Sequence, residues 1–282
     1  MAMSSVMVER VVVVVLDGLR PDAIDRFGLR HLQALMRLGA ATRSGRTVAP
    51  SVTACAMTSL FTGAQPERHG MRSDRFRIPR PSGRIDPIPQ VLARHGIASA
   101  AHMASLPWLF RGLGRRIVQL LGVAEAGFHG RGCTDILRGA LPGLRARRHG
   151  FTLLHWPDAD RAGHRHGWMS ADYAAAARRM DQSLGELVAQ LDPLRDPTTL
   201  LIALADHGGG GVDPRHHDSA HPLDRTIPIV FAGASVAPGP LAWPVSLLDV
   251  PATVLWALGV QRPESYAGRP VPVLRGAREA AA

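Results

Sequence analysis

The sequence predicts an α/β fold in which a mostly parallel central sheet carries helices on both faces. Three apolar runs, at residues 11–16, 151–155 and 199–205, have the length and composition of buried strands. Segments with helical or turn signals alternate with these runs, and no internal repeat is visible. We therefore expect one domain that spans residues 1–282.

The first strand, VVVVVL at residues 11–16, ends abruptly at Asp17. Ligands of open α/β sheets bind outside the carboxyl ends of the strands, so Asp17 is a candidate ligand or catalyst. The alternative interpretation is a turn aspartate that caps the next helix.

Helix and loop signals follow in order. Leucines at helical spacing predict a helix over residues 30–39, which ends at a glycine. Proline and serine at residues 50–51 interrupt the chain, and small residues predict a second helix that begins near Thr53. Proline, glycine and arginine dominate residues 72–90, which predicts a loop over one face of the fold.

The middle of the chain is less regular. A short helix over residues 91–94 and a strand over residues 97–103 are expected. Residues 106–150 are rich in glycine and arginine and have weak helical periodicity. The sequence leaves open whether this segment forms a small lid or an insert that faces the substrate.

The clearest helix begins after Ser170, a predicted N-cap, and has an apolar stripe from Tyr173 to Leu191. A further strand is expected over residues 227–231. A closing helix is expected over residues 247–258, because Gly259 follows as a stop signal.

Composition limits the function classes. The formal net charge is +10, and the sequence contains neither lysine nor asparagine. A basic surface attracts anionic substrates, but no nucleic-acid-binding module is visible, so a solvated basic surface is favoured over nucleic-acid binding. The two cysteines, Cys55 and Cys133, are too few for a disulfide scaffold and are expected to be buried thiols.

The apolar run near the N-terminus is six residues long and ends in an acid. It is too short for a membrane span and lacks the small-residue cleavage site of a signal peptide. We therefore expect a cytoplasmic protein without a membrane segment.

Each of the three apolar strands is followed by acidic residues, and two of them also by histidines. At one sheet edge, this concentration of charge is tolerable only if a cation neutralises it. Aspartate and histidine without clustered cysteine favour zinc or a similar divalent ion, and more than four candidate ligands indicate two ions. Taken singly, each histidine is better explained as a surface or hydrogen-bonded residue. The candidates are Asp17, then Asp158, Asp160 and His164, then Asp206, His207, His216, His217 and His221.

Five motifs in order resemble those of the alkaline phosphatase superfamily: LDGLRPD, PSVTACAMTSLFTGAQPERHG, PDADRAGHRHG, ADHGGGG and HDSAHPLDRTIP. The branch they resemble most is the type I phosphodiesterases and nucleotide pyrophosphatases, over about residues 11–270. The resemblance implies a metal-dependent hydrolase of small anionic phosphoesters with two divalent ions, zinc being the expected metal. It also implies an alkaline phosphatase-like sheet.

Carried over residue by residue, the resemblance implies a ligand set and a nucleophile. Thr53 would attack phosphorus and form a phosphothreonine, although a helix N-cap is the simpler interpretation of this residue, and Ser51 is the fallback nucleophile. His216 and His221 are the alternatives to His217. The first ion would be held by Asp17, Thr53, Asp206 and His207, and the second by Asp160, His164 and His217.

The sequence departs from the family three residues after Thr53, where the diesterase branch usually has a phosphate-binding asparagine and this chain has Ala56. Losing one such donor costs about 2.7–4 kcal/mol of transition-state stabilisation, so another donor serves or the substrate differs. Arg20, Arg72 and Arg75 are the candidate donors, and an arginine clamp would favour a phosphomonoester.

Two other functions are disfavoured. A sulfatase or phosphonate hydrolase of the same superfamily is less consistent with the sequence, because Cys55 lacks the Cys-x-Pro-x-Arg context of a formylglycine nucleophile. A non-catalytic anion-binding module would require a broken ligand set.

Overall fold

The computed structural model describes residues 8–74, 80–106, 111–241 and 243–276. One sheet of eight strands organises this part of the chain. The strands are β1 (Arg10–Leu16), β2 (Ala40–Arg46), β3 (Ser99–Met103), β4 (Glu125–Phe128), β5 (Gly150–Trp156), β6 (Thr199–Leu204), β7 (Thr226–Ala232) and β8 (Gly239–Pro240).

Helices connect most of the strands. They are α1 (Ala23–Arg26), α2 (Arg30–Leu38), α3 (Thr53–Thr62), α4 (Pro66–His69), α5 (Ile88–Ala93), α6 (Arg111–Leu120), α7 (Cys133–Ala146), α8 (Asp158–His166), α9 (Ala171–Leu191), α10 (Pro222–Arg225) and α11 (Asp249–Ala257). Ser170 caps α9 as predicted, because its hydroxyl accepts a hydrogen bond from the Tyr173 amide.

The strand order is β4-β3-β5-β1-β6-β7-β2-β8. Strands β5, β1 and β6 are adjacent and parallel, as are β4, β3 and β5. Strand β7 runs antiparallel to β6 and β2, which makes the sheet mixed at one side. The predicted fold class, a mostly parallel sheet with helices, is therefore confirmed.

The core lies on both faces of the three central strands. Every residue of β1 and β6 is buried, because helices cover the sheet from both sides. Helices α2, α7 and α8 contact α9, whereas α3, α5 and α11 contact one another. None of the helices within the described ranges is long and apolar enough to span a membrane.

Two regions differ from the sequence expectation. Strand β2, AATRSGR, was not predicted because its composition is polar and lacks an apolar alternation; it is held by antiparallel pairing with β7. Within residues 106–150, β4 extends the sheet beside β3, and α7 buries an apolar face that includes Ile136, Leu137 and Leu144.

Candidate active site and metal centre

The polar residues that follow β1, β5 and β6 meet at the carboxyl edge of the sheet. Asp17 directly follows β1, and Asp206 and His207 follow shortly after the end of β6. Helix α8, which begins two residues after β5, carries Asp160 and His164 four residues apart. Because these three strands are parallel neighbours, their carboxyl ends bring the side chains together.

Gly18 allows the chains after β1 and β5 to approach closely. Its φ is +71°, and a Cβ atom there would lie 2.8 Å from Asp160 Cα. The Asp160 amide donates to the Asp17 carbonyl at 3.0 Å. Any larger residue at position 18 would push Asp160 away from Asp17.

Three histidines are held in one orientation by backbone carbonyls. The Nδ1 atoms of His164, His207 and His217 lie 2.7, 2.8 and 2.6 Å from the carbonyls of Arg215, Gly208 and Ser51, respectively. Since a carbonyl only accepts, each Nδ1 carries a proton, which leaves each Nε2 as the ring atom that could bind a metal ion. This arrangement is typical of imidazoles that bind a metal ion through Nε2.

The Nε2 atoms of these histidines lie close to the aspartates. His207 Nε2 lies 3.3 Å from Asp17 Oδ1 and 3.6 Å from Asp206 Oδ2. His217 Nε2 lies 3.6 Å from Asp160 Oδ1, and His164 Nε2 lies 3.4 Å from the same oxygen. The predicted aspartate and histidine ligands therefore all lie in one cluster.

The donor set fits divalent cations. Two groups of three ligand atoms lie within 4.8 Å of one another: Asp17, Asp206 and His207, and Asp160, His207 and His217. Asp160 Oδ1 and Asp206 Oδ2 are buried and have no hydrogen-bond partner among the described residues. A buried carboxylate oxygen without a donor is costly, and a cation would satisfy it.

Burial and charge oppose each other in the cluster. Burial alone would raise the pKa of Asp17, but the adjacent imidazoles of His155 and His207 hold that pKa below its usual range. Burial and the Asp17 charge raise the pKa of Asp206 to about 6 and also raise that of Asp160. The pKa of His207 is raised, because Asp206 and Asp17 outweigh its burial. The positive charges of the imidazoles therefore neutralise the carboxylates only in part.

Thr53 lies at the edge of this cluster. It is the first residue of α3, whose N-cap is Val52, so the simpler interpretation of Thr53 as the N-cap is wrong. Thr53 Oγ1 lies 2.9 Å from His207 Nε2 and 3.5 Å from Asp17 Oδ1. The hydroxyl is thus placed between the helix N-terminus and the candidate ligands.

The alternative candidates for the metal ligands and the nucleophile have other contacts. His221 Nδ1 accepts from the Leu223 amide at 3.2 Å and caps α10, and the His216 side chain is 64% exposed. The Ser51 hydroxyl donates to the His217 carbonyl. Asp158 accepts from the Cys133 amide at 2.8 Å, at the start of α7.

The three candidate arginines have different environments. The Arg20 guanidinium is buried and donates to Asp22 and to the Gly209 carbonyl. Arg72 is exposed and lies 3.4 Å from Glu67. Arg75 lies outside the described residues. Ala56, at the position of the family asparagine, is completely buried.

Sequence reasoning missed three residues that support the site. His155 Nε2 lies 3.1 Å from Asp17 Oδ2, and Trp168 Nε1 and the Tyr173 hydroxyl both donate to the Gly18 carbonyl at 2.9 Å. The polar end of the apolar run FTLLH was the available signal for His155. Nothing in the local sequence distinguishes Trp168 or Tyr173 from core residues.

Comparisons with known proteins identify the family and the fold. The family model for type I phosphodiesterases and nucleotide pyrophosphatases matches residues 11–241. No curated protein sequence matches the chain significantly.

Solved structures share the fold. A murine ectonucleotide pyrophosphatase/phosphodiesterase 5, an inactive variant in complex with AMP, is 14% identical with a TM-score of 0.70, and the match covers 90% of this chain and 96% of the murine chain. A phosphonate monoester hydrolase from Silicibacter pomeroyi is 15% identical with a TM-score of 0.70, covering 93% and 76%. The lipoteichoic acid synthase LtaP from Listeria monocytogenes is 14% identical with a TM-score of 0.66, covering 93% and 74%.

Proposed function

Because the chain belongs to the type I phosphodiesterase/nucleotide pyrophosphatase family and is a phosphoric ester hydrolase, we propose that it hydrolyses phosphodiesters through a phosphothreonine on Thr53. The observation that carries this proposal is the position of Thr53 Oγ1, 2.9 Å from His207 Nε2, at the start of α3. Its substrates would be small anionic phosphoesters.

Members of this superfamily use divalent metal ions, and the unpaired oxygens of Asp160 and Asp206 support two ions here. Bound ions would neutralise the carboxylates, lower the pKa of the Thr53 hydroxyl and stabilise charge on the phosphate oxygens. Nitrogen and oxygen donors without cysteine favour zinc. In our proposal one ion is held by Asp17, Thr53, Asp206 and His207, and the other by Asp160, His164 and His217.

The reaction would occur in two steps at Thr53. Attack by Oγ1 forms a bond to phosphorus while the bond from phosphorus to the leaving oxygen breaks, and the proton lost from Oγ1 ends on the departing alcohol. A water molecule then attacks the phosphothreonine, breaks the bond between Oγ1 and phosphorus, and restores the hydroxyl. The N-terminus of α3 supports both steps, because its amides and dipole favour the negative charge of the phosphoryl group.

Phosphomonoester hydrolysis is the second candidate function. Buried Ala56 leaves the site without the asparagine donor of the diesterase branch. Arg72 is exposed, whereas the Arg20 guanidinium is already bonded to Asp22, so Arg72 is the better candidate of these two for a replacement donor, and a guanidinium suits a dianionic phosphate.

We also propose a cytoplasmic location. Cys55 and Cys133 are both buried and unpaired, and Cys133 Sγ accepts a hydrogen bond from the Ser183 hydroxyl. Free thiols persist in reducing compartments.

The proposal is tested by measuring bound metal and the hydrolysis of bis-p-nitrophenyl phosphate and p-nitrophenyl phosphate. We expect roughly two zinc ions per chain and preferential turnover of the diester. Thr53→Ala should lower kcat by at least about 10³-fold and abolish the acid-stable phosphoenzyme. Asp206→Ala should lower both metal content and turnover.

Thr58→Ala is the matched control, because Thr58 lies in the same helix and donates to the Ala54 carbonyl at 2.6 Å. It should retain turnover and metal. A preference for the monoester would favour the second candidate function. Metal-free protein without turnover on either ester would refute the hydrolytic mechanism at Thr53.

A further inference from the structure

A carboxylate occupies part of the N-terminus of α3. Asp74 Oδ1 accepts a hydrogen bond from the Ala54 amide at 2.9 Å, and Ala54 directly follows Thr53. Asp74 is exposed, and the loop that carries it follows α4. The first turn of α3 itself contains no acidic residue, so this contact brings a negative charge from elsewhere in the chain.

The position matters because a phosphoryl group attacked by Thr53 would lie against the same helix end. Free amides at a helix N-terminus bind anions, and Asp74 already uses one of them. The phosphate and the Asp74 carboxylate would therefore be close like charges.

The basic side chain nearest in sequence to Asp74 among the described residues of this loop is already paired, because the Arg72 guanidinium lies 3.4 Å from Glu67. Burial, with smaller contributions from the charges of Glu67 and Asp74, raises the pKa of the Cys55 thiol in α3 to about 12, and Arg72 opposes this less strongly. Among these described side chains, the acidic charges thus outweigh Arg72 at the Cys55 thiol.

We propose that Asp74 is a specificity-determining residue that disfavours phosphomonoesters relative to phosphodiesters. The inference rests on the proposed function, since it assumes that the phosphoryl group is bound beside Thr53. A phosphomonoester carries close to two negative charges above pH 7, whereas a diester carries one. The Asp74 carboxylate therefore repels the monoester more strongly, and this discrimination does not require the missing asparagine donor.

Asp74→Asn tests the charge at nearly constant shape, because an asparagine side-chain oxygen also accepts from a helix amide. At pH 8 we expect the ratio of kcat/KM for bis-p-nitrophenyl phosphate to that for p-nitrophenyl phosphate to fall about two- to fivefold, the range for charges interacting in exposed positions. The fall should come from improved monoester turnover and should shrink at high salt.

Asp135→Asn is the matched control. Asp135 is an exposed aspartate in the first turn of α7, where it accepts from the Arg131 amide at 3.3 Å. Its substitution should leave the ratio unchanged. An equal change on both esters in Asp74→Asn, or a loss of thermal stability without a change in the ratio, would overturn the inference and leave Asp74 as a helix cap.

A binding measurement separates this inference from the catalytic proposal. In the zinc-loaded Thr53→Ala background, Asp74→Asn should lower the Kd of phenyl phosphate relative to that of diphenyl phosphate by the same factor, about two- to fivefold. If wild-type protein shows no turnover but this shift occurs, the catalytic proposal fails and the role of Asp74 stands. If wild-type protein turns over the diester but the ratio of affinities is unchanged, the role of Asp74 fails and the catalytic proposal stands.

Discussion

Trp168 holds the turn after β1 and the imidazoles of the cluster at the same time. Its Nε1 donates to the Gly18 carbonyl at 2.9 Å. Its ring forms T-shaped contacts with the rings of His164 and His217, at centroid distances of 5.3 and 5.6 Å. A Cβ at Gly209 would lie 2.1 Å from the indole, so the glycine-rich turn after β6 is shaped around this side chain.

Trp168→Phe should lower kcat/KM on the diester and the zinc affinity by about tenfold, as expected for a residue that orients ligands. The phenyl ring preserves most of the packing, but the Gly18 carbonyl loses one of its two donors. Both quantities are measured by steady-state kinetics and zinc titration. Trp243→Phe is the matched control, since Trp243 Nε1 has no hydrogen-bond partner among the described residues. Equal effects of the two substitutions would contradict this role of Trp168.

At the scale of elements, His69 ties α4 to α3 and to the loop that carries Asp74. Its Nδ1 accepts from the Met71 amide at 3.1 Å, and its Nε2 therefore donates to Ser59 Oγ at 2.9 Å. Burial lowers the pKa of His69 to about 4. Protonation of Nδ1 would break the bond to Met71.

The sign of the pH effect follows from this pKa. An unfolded histidine titrates near 6.5, so between about pH 6.5 and pH 4 the unfolded chain binds more protons and stability falls as pH falls. The contribution of His69 is fully present above pH 6.5. Lowering the pH from 7 to 4.5 should remove about 2 kcal/mol through this residue.

Denaturant unfolding of wild type and His69→Gln at the two pH values measures this contribution. The wild type should lose about 2 kcal/mol more than the variant. His149→Gln, at an exposed position, should behave like the wild type. Parallel losses in wild type and His69→Gln would show that another group carries the acid sensitivity.

The elements that the sequence predicts well are those whose own residues determine them. Strands β1 and β6 are buried on both faces and read as continuous apolar runs, and Ser170 supplies its own cap to α9. Strand β2 was missed because pairing with β7, rather than composition, makes it a strand. Tertiary pairing also outweighs weak propensity in β4.

In the candidate site, too, local sequence predicts some residues and tertiary contacts determine others. Asp17, Asp206 and His207 were accessible to sequence reasoning because they follow apolar strands directly. Trp168 and Asp74 were not, since their roles depend on contacts with Gly18 and Ala54, 150 and 20 residues away in the sequence.

On the scale of the whole molecule, folding and cation binding should be coupled. The chain has a formal net charge of +10, but its sheet edge concentrates the carboxylates of Asp17, Asp160 and Asp206 with little access to solvent. Without a cation these charges repel one another across the ends of β1, β5 and β6, where the three main strands of the core meet.

Zinc should therefore stabilise the whole fold. At free zinc about 100 times the Kd of a site, the free energy of unfolding should rise by about 2.7 kcal/mol for each ion bound. This corresponds to an increase in Tm of about 5 °C per ion for a chain of this size. Treatment with a chelator should reverse the increase.

Asp206→Asn should affect Tm differently with and without zinc. Without metal, the variant should unfold at the same temperature as wild type or higher, because it removes a fully buried charge beside Asp17. With zinc, its Tm should be lower, because a ligand is lost. Asp249→Asn, a buried aspartate that accepts from the Ser246 and Arg269 amides at the start of α11, should lower Tm equally in both conditions. Thermal scans of wild type, Asp206→Asn and Asp249→Asn with and without zinc distinguish a metal ligand from a purely structural residue. A loss of Tm in Asp206→Asn that is the same in both conditions would assign Asp206 to the fold alone.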